Sequence, residues 1–338
     1  MFRAGRAERA GGERSGTTHW RLRLDFARLP ASRRPLSGTP DGYTMEVSEP
    51  TYDVRLFRAL NDQFKDAPLV ESPPPRTSQS AADVARGRIK TITNYVDVED
   101  KRVLELGAGR GYTASLLQKE AGAKHVVGID IKSYPDWEQH DPNGAEFVVG
   151  DLAVEHLVDP ESVDVVVSAV TFEHVTRPVQ MLGQLYRALS ENGQAWLYFN
   201  LYRGPSASHR YHHVFFPWPH LLFDNADEAT IEEASGARKF AWVNYMTAAT
   251  YVQTCAEIGF EITYVRRHTA PLDKYLPFYR RFEDKLGRYP ALDLETDFLT
   301  LVLRKLPEPT SVVPRLGYLE RQREFDRLAE RYRGLARS

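Results

Sequence analysis

The chain contains one cysteine, Cys255, in 338 residues. That excludes an internal disulfide and any Cys-x-x-Cys zinc or redox motif, and it suits a reducing compartment, so the cytoplasm is the expected location. Long apolar runs are missing as well. None approaches the roughly 20 residues needed to cross a bilayer, and none has the charged-then-apolar layout of a secretory signal, so no membrane partner is expected. An excess of one charge is also absent: the formal net charge is −2, and no whole-chain field draws the protein toward a polyanion. With no basic stripe, no Asn-Pro-Pro-Tyr-like signature and no RNA-binding module, a nucleic-acid substrate is not expected. There is no visible repeat.

What is present is an apolar fraction of 42% in a chain long enough for one large core, or one core plus a small accessory unit. Residues 1–44 are rich in Arg, Gly and Ser and lack a core-forming face, which predicts a disordered or non-native extension. A transit peptide would share that composition, but Glu8, Glu13 and Asp25 argue against it. Over residues 45–77, Val54, Phe57, Leu60 and Phe64 fall at helical spacing before Pro73-Pro74-Pro75, which predicts a helical cap and a stiff linker.

Residues 78–306 read as the main domain. A helix from Ser78 to about Tyr95 precedes a buried strand at Arg102–Leu106. Helix Gly111–Ala121, strand Lys124–Asp130, strand Glu146–Gly150, strand Val163–Val170, helix Pro178–Leu189 and strand Gln194–Asn200 follow. Strands alternating with helices at this spacing predict an α/β fold with a parallel sheet covered on both faces. Residues 201–246 break the rhythm and read as an insertion. Helix Thr247–Ile258, strand Glu261–Arg267, a helix near Tyr275–Leu286 and strand Asp297–Arg304 then complete the domain. In the tail over 307–338, Tyr318, Phe325 and Tyr332 at seven-residue steps predict an amphipathic helix. It either packs on its own domain or forms the seam of a homodimer.

The chemistry starts at Val103-Leu-Glu-Leu-Gly-Ala-Gly-Arg-Gly-Tyr112, where a buried strand runs into a Gly107-x-Gly109-x-Gly111 turn that opens a helix. Glycines there allow close backbone approach to a ligand, and the helix N-terminus presents free N–H groups. The dinucleotide fingerprint would need glycine at 112, which is Tyr, and normally lacks an acid at the position of Glu105, so a nicotinamide-dependent oxidoreductase is disfavoured.

Glu105, Gly107, Gly109 and Gly111 instead resemble motif I of the class I S-adenosylmethionine-dependent methyltransferases. The resemblance implies that this loop, Ala108 included, cradles the methionine and ribose portions of S-adenosylmethionine, and that Glu105 meets the ammonium through water. It further implies that Asp130, ending Val127-Gly-Ile-Asp and followed by Ile131, clamps the ribose hydroxyls. Asp151 and Leu152 would contact adenine, and Ala169 would line the same site. The run from Asp164 through Glu173-His174-Val175 to Arg187-Ala-Leu189 and Gly193 is similar to the quinone-type and related small-molecule members, with Gln194 in place of a second glycine. The implied fold is Rossmann-like, seven-stranded and mostly parallel, with the last strand antiparallel and an insertion after strand 5.

Methyl transfer from a sulfonium is an in-line displacement, so the enzyme chiefly aligns the reactants and excludes water. A hydroxyl acceptor also needs a base, most often His. The insertion supplies His209, Tyr211, His212, His213, Trp218 and His220 just beyond the strand nearest the transferred methyl. His213 or His212 is the first expected base, His209 the next, and His174 a fourth by family position. Glu173, Tyr202, Tyr211 and Trp218 are expected to bind a small-molecule or glycan acceptor. A rigid loop whose histidines merely satisfy local hydrogen bonds is the plainer alternative. A metal site from His209, His212 or His213 plus a carboxylate has no recognisable ligand spacing, so no metal is expected. Transfer to nitrogen or carbon, and a cofactor-binding scaffold without turnover, also remain open.

Overall fold

The computed structural model describes residues 52–71, 78–223, 243–270 and 272–306. The expected extension at 1–44, the tail at 307–338 with its dimer seam, and the later part of the insertion at 224–242 lie outside the described residues.

Seven strands form one sheet: β1 (Arg102–Leu106), β2 (His125–Asp130), β3 (Glu146–Val149), β4 (Val163–Ala169), β5 (Leu189–Asn200), β6 (Phe260–Thr269) and β7 (Thr296–Lys305). Their order is β3-β2-β1-β4-β5-β7-β6, with β7 antiparallel to both neighbours and the other pairings parallel. The expected mostly parallel, Rossmann-like sheet is therefore present. Strand order reverses between β1 and β4, where such sheets open a crevice beyond the strands' carboxyl ends.

The reason lies in the side-chain pattern. In β4, Val163-Asp-Val-Val-Val-Ser-Ala169 is buried at every position but Asp164, as expected for a central parallel strand covered on both faces. Asp164 accepts from the backbone N, Nε and Nη2 of Arg102 at 3.0, 3.0 and 2.7 Å, which ties the start of β1 to β4. These bonds hold its carboxyl well below the usual carboxylate range.

Helices α1 (Val54–Phe64), α2 (Ser78–Ile92), α3 (Tyr112–Lys119), α4 (Pro178–Ala188), α5 (Pro219–Leu222), α6 (Ala248–Ile258) and α7 (Leu272–Arg281) connect and cover the strands. Their ends follow local chemistry. Asp53 caps α1 by accepting from Arg55 N and Leu56 N, and Thr247 caps α6 by accepting from Thr250 N, while Gly259 at φ 108° stops α6.

Alternate side chains of each strand feed two cores. Leu104, Val166, Leu197 and Leu301 pack with α4 and α6 on one face, whereas Val103, Val165, Trp196 and Val302 pack with α2 and α3 on the other. A third cluster joins Phe57 and Leu60 of α1 to Phe216, Trp218 and Phe223 of the insertion and to Tyr275, Phe278 and Phe282. Residues of α1, of the stretch 214–223 and of the stretch 275–294 thus share a third core.

Two local differences from the sequence reading have simple causes. β5 begins at Leu189 rather than Gln194, because Leu189 pairs with Val163 and the chain bulges through Asn192, at φ 61°, before Gln194 pairs with Val165. The helix expected near Tyr275–Leu286 begins at Leu272 and is broken at Phe282, with a short turn of helix over Glu283–Leu286.

Candidate active site

A cavity of about 600 Å³ opens at the switch point of the sheet, lined by the turn from Leu106 to Thr113, by Ile129–Lys132 after β2, by Gly150–Leu152 after β3, and by Ala169–Thr171 and His174–Thr176 after β4. Expected cofactor residues Gly107, Ala108, Gly109, Gly111, Asp130, Ile131, Asp151, Leu152 and Ala169 all lie in this wall.

The turn is shaped by its glycines. Gly109 has φ 51°, and a Cβ there would meet nothing within 4 Å, so its bare backbone faces open space. At Gly111, φ is 83° and a Cβ would lie 2.7 Å from the Phe147 ring. Asp130 sits at the rim with one oxygen accepting from Gly109 N at 2.9 Å and the other from Lys132 N at 3.3 Å. Ile131 is 75% exposed beside it, an apolar surface available to a flat ligand. Asp151 caps the turn after β3 by accepting from Ala153 N at 2.9 Å, and Leu152 is fully buried behind it.

Glu105 does not line the cavity. Its carboxylate is 2% exposed, behind the wall, where it accepts hydrogen bonds from Ala114 N–H and Thr113. Burial pushes it up to about 7, against the opposing pull of Arg88 and of those hydrogen bonds. Arg88 lines the cavity from α2 and donates to Thr113 Oγ1 at 3.1 Å.

Several contributors carried no sequence signal. Trp137, in a stretch that reads as a polar loop, donates its indole N–H to Gly109 O at 2.8 Å and stacks on Phe147 at 4.9 Å. His140 Nε2 bonds Arg110 O at 2.9 Å, and Asp136 pairs with Arg110 at 2.6 Å. Together they brace the glycine turn from outside. Asn244 is 2% exposed. Its Nδ2 donates to Phe172 O at 2.7 Å and its backbone N to Glu173 O at 2.7 Å, fixing the loop that follows β4.

At the end of the cavity nearest β4, Glu173, His174 and His209 converge: one donor atom from each lies within 4.8 Å of the others. His174 lines the cavity and is exposed, and its ring meets that of His209 edge-on at 4.9 Å. Glu173 is 1% exposed, and burial pushes its carboxyl up to about 7, with backbone N–H groups of Glu173 and Asn200 pulling weakly the other way. Burial, reinforced by His174, lowers His209 to about 4 and leaves its imidazole neutral at ordinary pH.

The other residues of the insertion go elsewhere. His212 and His213 are exposed and do not line the cavity, and Asn61 of α1 grips the chain there by donating to His213 O at 2.9 Å. Trp218 is fully buried in the third cluster, its indole N–H donating to Leu294 O at 3.3 Å. Tyr202 packs edge-on against Tyr245 and His220, with its hydroxyl pushed well above the usual tyrosine range by burial. Tyr211 lies beside His209 and His212, ring to ring. Of the four expected bases the structure brings together His174 and His209.

Residues 104–197 match the family described as the methyltransferase domain. Among curated proteins, a malonyl-[acyl-carrier protein] O-methyltransferase of Calditerrivibrio nitroreducens is 25% identical over 138 residues, covering 41% of this chain and 52% of that protein. A protein of the same name from Bacillus cereus is 31% identical over 100 residues, covering 29% of this chain and 37% of its own. The chain thus spans about half the length of the first relative and just over a third of the second. Among solved structures, an S-adenosylmethionine-dependent methyltransferase from Mesorhizobium loti aligns with a TM-score of 0.46 at 19% identity, over 66% of this chain and all of that one. Over residues 104–197 the chain carries a methyltransferase domain.

Proposed function

We propose that the protein transfers a methyl group from S-adenosylmethionine to a hydroxyl oxygen of a small molecule or glycan. The observation that carries this reading is the cavity itself, whose wall holds the Gly107–Gly111 turn, Asp130 and His174, with His209 in ring contact behind His174.

The residues present fit the cofactor. The open cradle at Gly109 admits a ligand against bare backbone, Asp130 offers carboxylate oxygens to a diol, and Ile131 offers an apolar face to a base. When bound there, S-adenosylmethionine supplies an electrophilic sulfonium methyl. The chain has to hold the acceptor in line with that methyl, keep water out and receive a proton. His174 stands in the cavity wall at the β4 end beside His209, whose imidazole burial keeps neutral, and the pair is placed to take that proton from a hydroxyl. The name of the two curated relatives, O-methyltransferase, supports oxygen as the target atom.

The test is a screen of hydroxyl, amine and carbon acceptors with methyl-labelled cofactor, comparing the parent chain with His209→Ala and with a His212→Ala/His213→Ala double variant. Label appearing in a hydroxyl acceptor, lost in His209→Ala and kept in the double variant, is the expected result. Transfer to amines or carbon acids alone would overturn the oxygen assignment, and loss confined to the double variant would move the base to the exposed pair.

A further inference from the structure

We propose that Glu173, His174 and His209 form a binding site for one divalent first-row transition ion, open toward the acceptor end of the cavity. The inference deepens the methyltransferase reading and rests on it for what the ion would do, though not for the site itself.

Four observations converge. The donor set is two imidazoles and one carboxylate, with their donor atoms within 4.8 Å of one another. Around a four-coordinate ion with bonds near 2.0–2.1 Å, neighbouring donors stand about 3.4 Å apart, so modest side-chain rotations would close the set. The Glu173 carboxylate is 1% exposed, and neither oxygen makes a hydrogen bond of ordinary geometry among the described residues; the backbone N–H groups of Glu173 and Asn200 lie only near enough to pull on it. A buried carboxylate without a partner is costly, and a bound cation is one of the few things that removes the cost.

Were the three residues instead a hydrogen-bonded proton relay, a bond between Glu173 and one imidazole would be expected. None forms, and the two histidine rings meet edge to face. Finally, the supports are rigid. Asn244 holds the Glu173 backbone carbonyl from two donors, at 2.7 and 3.3 Å, and is itself fixed by Tyr251 Oη at 3.0 Å. His209 sits at φ 55°, a left-handed conformation uncommon for a non-glycine residue.

The three donors come from two distant parts of the chain, the loop after β4 and the insertion, which is why their spacing in the sequence is uninformative. Imidazole and carboxylate together suit zinc, manganese, iron or cobalt better than the purely oxygen-seeking magnesium or calcium. Three protein donors leave at least one coordination position free. His174 places that position on the cavity side, where an acceptor hydroxyl could coordinate. With the ion bound, activation of the hydroxyl would pass from a free imidazole to the metal: the ion would lower the hydroxyl's pKa and orient its oxygen, and the released proton would go to water.

The test is a spectroscopic titration of the chelator-treated full chain with Co²⁺, with S-adenosylmethionine binding measured calorimetrically on the same preparation. Expected is one equivalent of saturable binding with a visible ligand-field band of mixed nitrogen and oxygen ligation. That binding should weaken by at least about tenfold in His209→Ala and in Glu173→Gln, since even losing a residue that only hydrogen-bonds to a metal ligand costs that much. Cofactor binding should be unchanged in both variants. No saturable Co²⁺ binding, or binding unaltered in His209→Ala, would overturn the site even if S-adenosylmethionine binds normally. Co²⁺ binding that follows the variants in a protein that ignores S-adenosylmethionine would leave the site standing and overturn the methyltransferase reading instead.

Discussion

Gly109 and Gly111 both sit at positive φ, yet an added methyl group would act differently at each. At Gly109 the new Cβ meets nothing, so alanine should cost only the left-handed backbone strain, about 1–2 kcal/mol, while intruding on the cavity wall. At Gly111 the same strain is joined by a 2.7 Å clash with Phe147, adding about 1–3 kcal/mol. Gly111→Ala is therefore expected to be the less stable protein in urea. Gly109→Ala should show the larger loss of cofactor affinity relative to its loss of stability. Equal ratios for the two would contradict the picture of a backbone cradle. The buried carboxylate of Glu105 gives a second residue-scale prediction. Its folded pKa, about 7, lies above the ordinary value of 4.5, so the folded state holds the proton longer than the unfolded one. It therefore subtracts stability progressively as pH rises from about 4.5 to 7. His209 and His220, both lowered to about 4, act in the opposite sense, adding stability as pH rises from about 4 to 6.5, so the parent curve has compensating slopes. The difference between Glu105→Gln and parent isolates one of them. The variant's relative stability should rise by about 1–3 kcal/mol between pH 4.5 and pH 7.5, and a flat difference would mean that the carboxylate is not desolvated.

Among elements, the loop after β4 matters most, because it carries Glu173 and His174 and depends on one side chain, Asn244, just ahead of α6. Removing the amide in Asn244→Ala leaves the Phe172 carbonyl without its buried donor, at a cost of about 1–3 kcal/mol. If the loop positions the acceptor end, turnover should fall while S-adenosylmethionine affinity stays within about twofold, since the cradle at Gly109 and Asp130 is untouched; a parallel fall in both would argue against that division. The sequence shows why this element could be only half read. β1, β2 and β4 announce themselves through aliphatic runs ending in Gly, Asp or Ala, and the glycine turn follows from spacing alone. Asn244 is one polar residue near the start of a helix, 71 positions from Glu173, and nothing local marks its partner. The aromatic insertion posed the converse problem. Its composition shows that something large is buried there, but not which face each ring takes, and Phe216 and Trp218 pack against Phe57, Tyr275 and Phe278, elements far away in the chain. The choice among histidines depended on the same missing information, since His209 and His212 are three residues apart and end in opposite environments.

At the scale of the whole molecule, the parallel sheet supplies the crevice, and the α1–insertion cluster forms a second body of packed aromatics attached to the insertion that carries His209. Truncating Phe57, fully buried in that cluster, to Ala should cost about 3–5 kcal/mol locally. Amide exchange should show the loss in α1 and residues 213–223, with β1 and β4 protected as in the parent; uniform loss of protection would show one cooperative core rather than two. No helix among the described residues is long and apolar enough to cross a membrane. The central claim, that the crevice at Gly107–Gly111 and Asp130 is built for S-adenosylmethionine, is tested most directly by calorimetric titration of the full chain with that cofactor and, separately, with NADH. The account predicts saturable binding of S-adenosylmethionine alone at one site per chain, lost in a folded Asp130→Ala variant, whereas binding of NADH, or S-adenosylmethionine binding that survives removal of Asp130 unchanged, would contradict it.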